Sequence, residues 1–93
     1  MKVRKISEVE IEKLGIKSWP IWECEPSTFD WYYNESETSY IVSGKAVVKA
    51  AGQTIEFGKG DLVSFPKGLK CIWTVEQKLT KHYYLGDLEK LRD

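Results

Sequence analysis

Trp31-Tyr32-Tyr33-Asn34-Glu35-Ser36-Glu37-Thr38-Ser39-Tyr40-Ile41-Val42-Ser43-Gly44 runs from three aromatics through an acidic loop into a β-rich segment, and Gly60-Asp61-Leu62-Val63-Ser64-Phe65-Pro66-Lys67-Gly68 answers it later in the chain. From Thr28 to Tyr33, Phe29, Trp31 and Tyr33 fall on one face and Asp30 and Tyr32 on the other, which is the two-residue period of a strand. Asn34-Glu35-Ser36 is a loop. Thr38 to Ser43 returns as a strand, Gly44-Lys45 reads as a turn, and Ala46 to Ala50 reads as the hairpin partner. In the second stretch, Leu62 to Phe65 is a strand bracketed by turn residues. Gly44 and Gly60 suit turns that need positive φ, and Pro66 has no amide to donate where a strand must end.

Outward toward the N-terminus, Trp19-Pro20-Ile21-Trp22-Glu23 packs bulk around a proline and reads as an edge strand, closed by a turn at Pro26-Ser27. Before it, Ser7 with Glu10 forms a capping box; Val9, Ile11 and Leu14 make a partial apolar face that Gly15 ends, so one to two turns of helix are expected. Lys2 to Ile6 reads as a short strand. Toward the C-terminus, Thr54 to Phe57, Leu69 to Glu76 and Leu79 to Leu85 read as strands, and Gly86-Asp87 with Leu88 and Leu91 permits a helical tail. About eight short strands at such spacing predict an antiparallel sandwich or barrel. No helical crossover is long enough for a parallel sheet.

With 93 residues, the chain is expected to form one all-β domain over residues 1–93, large enough for one core. No apolar run approaches the ~20 residues of a membrane span, and the basic start Met1 to Glu8 lacks the apolar segment of a signal peptide. The expected place is the cytoplasm, with no membrane partner. Fourteen basic and fourteen acidic residues are interspersed, which argues against nucleic acid, since phosphate binding needs a clustered basic face. Lys and Glu dominate the charges and side-chain amides are few, a thermophile-like balance. Cys24 and Cys71 match no zinc or redox spacing, and no disulfide is expected in a cytosolic chain.

The two opening stretches resemble the two motifs of the cupin superfamily of small jelly-roll barrels. Glu37 and Gly44 keep the spacing that closes the first motif, and Trp31 and Tyr33 stand where that motif has its two histidines. Gly60, Pro66 and Gly68 fit the second motif without a gap, with Cys71 at its histidine position and Val75 at its asparagine position. The wording Trp-x-Tyr, Glu-x-x-Tyr, Gly-Asp-Leu-Val-x-Phe-Pro-x-Gly, then Trp73 and Lys81-x-Tyr83, is similar to the single-domain cupins grouped with the ureidoglycine aminohydrolase cupin domain and EutQ-like proteins. What the resemblance implies is an all-β cupin jelly roll, the double-stranded β-helix barrel, with a short N-terminal helix. In metal cupins three imidazoles and one carboxylate hold the ion; here the carboxylate alone remains, so no metal and no cofactor are expected.

On this frame one mouth of the barrel is lined by Trp31, Tyr33, Glu37, Ser39, Ile41, Cys71 and Trp73, with Lys81 and Tyr83 from the last strand. Glu37, Cys71 and Lys81 are the candidate catalytic residues, and Trp31, Tyr33, Ser39, Trp73 and Tyr83 the candidate ligand contacts. A carboxyl among aromatics has a raised pKa unless Lys81 lies close enough to offset it. Each candidate has a structural alternative: Trp31 and Trp73 as lumen filling, Glu37 as a partner for Tyr33 or Tyr83, Cys71 as a small hydrophobe. His82 falls on the face opposite Lys81 and Tyr83. Three functions fit: a metal-independent small-molecule-binding cupin, with or without catalysis; a manganese enzyme resembling ureidoglycine aminohydrolase; or a non-catalytic assembly domain with a filled lumen. The aromatic edge around Trp19 to Glu23 would need cover, which a homodimer would supply.

Overall fold

Alternating apolar and polar residues become seven strands in the computed structural model, which describes residues 1–86. In chain order these are β1 (Lys2–Lys5), β2 (Ile21–Cys24), β3 (Ser27–Tyr32), β4 (Glu37–Ala50), β5 (Gln53–Gly58), β6 (Asp61–Phe65) and β7 (Lys70–Leu85). Helix α1 (Glu8–Leu14) lies between β1 and β2 and is followed by a 3-10 turn at Ile16–Ser18. The helix begins as its capping residues require: Ser7 Oγ accepts from the Glu10 amide at 3.2 Å. It ends at Gly15, whose φ of 65° lets its amide reach back to Glu12. At 7 residues it is too short to stand alone, and Ile11 is held in a small core with Ile16, Trp19 and Leu62.

All strand pairs are antiparallel, and β4 and β7 organise them. Along one edge of β4, Glu37–Tyr40 pair with β6 and Lys45–Ala50 with β5; its other edge runs along β7. The far edge of β7 pairs with β3 over Lys70–Val75 and with β2 over Leu79–His82. The two long strands therefore pass from a sheet ordered β1-β6-β4-β7-β2 into a second ordered β5-β4-β7-β3. The sheets face each other across one core, where Phe65 of β6 meets Trp73 of β7 at 5.6 Å and Phe57 of β5 at 6.2 Å between ring centres. This is the all-β jelly roll.

Where β4 changes sheets its register with β7 shifts between Ile41 and Ala46. Before the shift Glu37, Ser39 and Ile41 are buried, and after it Ala46 and Val48 are, so the inward side moves from odd to even positions. Three irregularities there leave the two strands a net one residue out of step, which has this effect on a strand of period two. Gly44, read as a hairpin turn, is instead part of this bulge inside a continuous 14-residue strand. Thr38 to Ser43 and Ala46 to Ala50 are not partners; both pair with β7. The same φ of 95° at Gly44 serves a bulge as readily as a turn, which is why the local signal is ambiguous. Likewise Leu69 to Glu76 and Leu79 to Leu85 are two parts of the one 16-residue strand β7. Trp19 precedes its strand, as the C-cap of the 3-10 turn, while β2 does lie at a sheet edge. The helical tail expected beyond Gly86 lies outside the described residues.

Candidate functional site

Strand alternation and the change of sheets aim side chains from four strands into one cavity of about 260 Å³. β3 supplies Phe29 and Trp31, with Tyr33 just past its end; β4 supplies Glu37; β7 supplies Trp73, Lys81, Tyr83 and Leu85; β2 supplies Trp22. The mouth is marked by Trp31 and Leu85, 47% and 56% exposed. Deeper in, Tyr33, Glu37, Trp73 and Lys81 are buried. Below them Phe57 and Phe65 close the lumen, Phe65 stacked on Tyr33 at 4.7 Å and Phe57 edge-on to Trp73 at 5.4 Å. Among the described residues the barrel is thus filled at its centre and open at one end.

The polar end of the cavity is an ion pair. Lys81 Nζ donates to Glu37 Oε2 at 2.7 Å, and Ser39 Oγ donates to the same oxygen at 2.7 Å. The ammonium also lies 4.9 Å from the ring centres of both Trp22 and Trp73, within cation–π range. Burial lowers the Lys81 pKa, and the Glu37 carboxylate pulls it back up. Above the pair, Trp73 Nε1 donates to Tyr33 Oη at 3.2 Å. Burial, reinforced by the charge of Glu37, pushes the Tyr33 phenol well above the ordinary tyrosine range, so at neutral pH it is an O–H donor.

Of the residues singled out from sequence, Glu37, Lys81, Trp31, Tyr33, Trp73 and Tyr83 line the cavity together. Ser39 sits behind Glu37 and orients it. Cys71 is elsewhere: its Sγ faces the backbone oxygen of Trp31 at 3.7 Å, and it borders an open groove with Asp30, Tyr32 and Lys70 rather than the cavity. Burial raises its thiol pKa, the opposite of what a nucleophile needs. His82, half-buried, places Nδ1 3.0 Å from the Trp19 backbone oxygen. Trp22, Phe29 and Leu85 complete the walls. The alternation of Phe29 with Trp31 and Tyr33 already pointed to Phe29. Trp22 enters only through the pairing of β2 with β7, where it stands opposite Lys81, and no local pattern announces that.

The residues at the metal position of a cupin do not fit a metal ion. Trp31 has no ligating lone pair, the Tyr33 phenol is held protonated, and one Glu37 oxygen is committed to Lys81 and Ser39. Cys71 has a raised pKa and faces a carbonyl. Among the described residues no three His, Cys, Asp or Glu side chains converge, as a transition-metal site would ask. No helix among them is long and apolar enough to cross a membrane.

Comparison with known proteins agrees with this frame. The family model for the EutQ-like cupin domain matches residues 11–83. A DUF861 family protein from Thermotoga maritima has a crystal structure that superposes with a TM-score of 0.88 at 47% identity, covering 90% of this chain and 97% of that one. The structure of the Clostridium difficile EutQ protein superposes with a TM-score of 0.65 at 28% identity, covering 70% of this chain and 52% of that one. Among curated proteins, the acetate kinase EutQ of Clostridioides difficile (strain 630) is 32% identical over 53 residues, 57% of this chain and 34% of that protein. The chain spans about a third of the length of the curated relative it matches.

Proposed function

We propose, for a chain that belongs to the EutQ-like cupin domain family, that it binds a small organic molecule in the cavity between Trp31, Glu37 and Trp73, without a metal ion. The observation that carries this reading is the combination of about 260 Å³ of open space with an oriented ion pair at its buried end. A ligand site is mostly apolar with a few convergent polar groups, and the aromatic walls around Glu37 and Lys81 have that composition. A flat or sugar-like molecule lies against the rings, Glu37 accepts a hydrogen bond from it or serves as a base, and Lys81 and Tyr33 donate.

An assembly domain with a filled lumen would leave no cavity among Trp31, Glu37 and Trp73. A manganese enzyme resembling ureidoglycine aminohydrolase needs a donor set that these side chains do not make. The acetate kinase activity named for the Clostridioides difficile relative belongs to a longer protein. Among the described residues lining this cavity the single ammonium is already paired, which is a poor cradle for the phosphates of a nucleotide.

Thermal-shift screening against ureides, sugars and amino-acid derivatives tests the reading. A compound that raises the midpoint of the native protein and fails to raise that of Glu37→Gln supports it. A protein that responds to nothing, or whose hits survive that change and Trp31→Ala, counts against it.

A further inference from the structure

Among the described residues the charge of the cavity is already balanced. There its charged groups are Glu37 and Lys81, 2.7 Å apart, and its remaining titratable groups are Tyr33 and Tyr83. A ligand carrying a full negative charge would approach the Glu37 carboxylate, and a positive one the Lys81 ammonium. Either must break the internal pair to find a partner or remain uncompensated in an apolar enclosure, and both are costly. Aromatic walls do attract cations. Here, however, the Trp22 and Trp73 faces already hold Lys81 at 4.9 Å each.

What the pair leaves unused is hydrogen-bonding capacity. Among the described residues Glu37 Oε1 has no partner, while Oε2 has two. The Lys81 ammonium makes one hydrogen bond of the three it has to give. Tyr33 Oη accepts from Trp73, and its own proton has no acceptor among the described residues. The site therefore presents the Glu37 acceptor beside the Lys81 and Tyr33 donors, with the Tyr83 hydroxyl, able to do either, also on its wall. At about 260 Å³ it is smaller than the ~300 to 1,000 Å³ of pockets for drug-sized ligands, so one ring with a substituent fills it.

Resting on the reading of this cavity as a ligand site, we infer that its ligand is an uncharged, flat ring compound bearing a carbonyl-type oxygen next to an N–H, the oxygen toward Lys81 and Tyr33 and the N–H toward Glu37.

Three probes of nearly one shape separate the charge states: benzamide, benzoate and benzylammonium, each titrated at neutral pH into the native protein while the indole N–H resonances of Trp22 and Trp73 are followed by NMR. Benzamide is expected to shift them saturably and to bind at least tenfold more tightly than either ion. Equal or tighter binding of benzoate or benzylammonium overturns the inference and leaves the cavity as a ligand site. If none of the three moves those resonances, both readings fall. In Glu37→Gln/Lys81→Met, which removes both charges at similar volume, the preference for benzamide over benzoate should shrink at least threefold; an unchanged preference shows that the pair does not set it. The comparison of probes on the native protein stands even if that variant does not fold.

Discussion

Glu37 Oε2 and Lys81 Nζ lie 2.7 Å apart, on strands β4 and β7, with 10% and 7% of their side-chain surface exposed. A pair so buried stabilises little over a well-packed apolar replacement, yet breaking it from one side strands a charge in the interior, at a cost of ~3 to 5 kcal/mol. Lys81→Met leaves the Glu37 carboxylate with the Ser39 hydroxyl alone, and Glu37→Gln leaves the Lys81 ammonium with rings and an amide. Each single change is expected to lower the unfolding free energy by about 3 kcal/mol. The double change should cost much less than the sum of the two, and urea denaturation of the four proteins measures the difference. Additive losses would show that the two groups do not depend on each other.

Tyr33 should resist ionisation for as long as the chain is folded. Its pKa is raised by burial first and by Glu37 second. A tyrosine whose folded pKa exceeds its unfolded value, near ~10, contributes stability that is complete below that pH. The contribution is lost as the pH rises beyond it, because the unfolded chain gives up a proton that the folded chain keeps. Lys81, with its pKa lowered by burial, works in the other sense: just below ~10.4 the unfolded chain holds the extra proton, so stability rises with pH there. Comparison with Tyr33→Phe isolates the first effect, since Lys81 is common to both. The unfolding midpoint of the native protein is expected to fall more steeply above pH ~10 than that of the variant. Parallel curves would refute the assignment.

Most of the frame was legible because it rests on local chemistry: Ser7 and Gly15 bound the helix, Pro66 and Gly68 end β6, and the alternation of Phe29, Trp31 and Tyr33 gives β3 its inward face. Sequence and structure part where a residue type serves two geometries. Gly44 has the positive φ of a turn and uses it in a bulge, and nothing near it in sequence says that Lys78 lies against its backbone. At the site, the motif spacing brought Glu37 together with Trp31 and Tyr33, whereas Trp22 depended on a strand pairing that spans some sixty positions. Cys71 shows the limit of alternation: it shares the inward side of β7 with Trp73 and Lys81, but its sulfur meets a backbone carbonyl and not the cavity.

That placement makes the two cysteines unequal. Cys71 is 6% exposed with a thiol pKa raised by burial, and Cys24 is half-buried. Because the thiolate is the reacting species and Cys71 is the more buried of the two, a disulfide reagent should modify Cys24 in the native protein and reach Cys71 only after denaturant is added. Cys71→Ser should leave ligand binding in the cavity within twofold of the native value. Rapid labelling of Cys71 in the folded protein, or loss of binding in the serine variant, would restore it as a functional group.

The bulge at Gly44 is the joint on which the site depends, since it returns β4 to the opposite parity and so allows Glu37 and Val48 both to point inward. A Cβ at Gly44 would stand 2.2 Å from the backbone oxygen of Lys78 and 2.8 Å from Cα of Leu79. Neither atom belongs to a flexible side chain, and the φ of 95° is itself unfavourable for any L residue with a Cβ. Gly44→Ala must therefore strain the β4 backbone or push β7 away, and β7 carries Lys81, Tyr83 and Leu85 on the far side of the joint. A loss of about 3 kcal/mol is expected from strain and contact together, some 12 to 24 °C in melting temperature for a domain of this size, taking ~4 to 8 °C per kcal/mol. Gly52→Ala, where φ is 73° but nothing lies within 4 Å of the added atom, separates the two causes. It should cost only the ~1 kcal/mol of an alanine held at positive φ. Equal losses at Gly44 and Gly52, measured by thermal melting, would mean that the approach of β7 to the bulge contributes nothing.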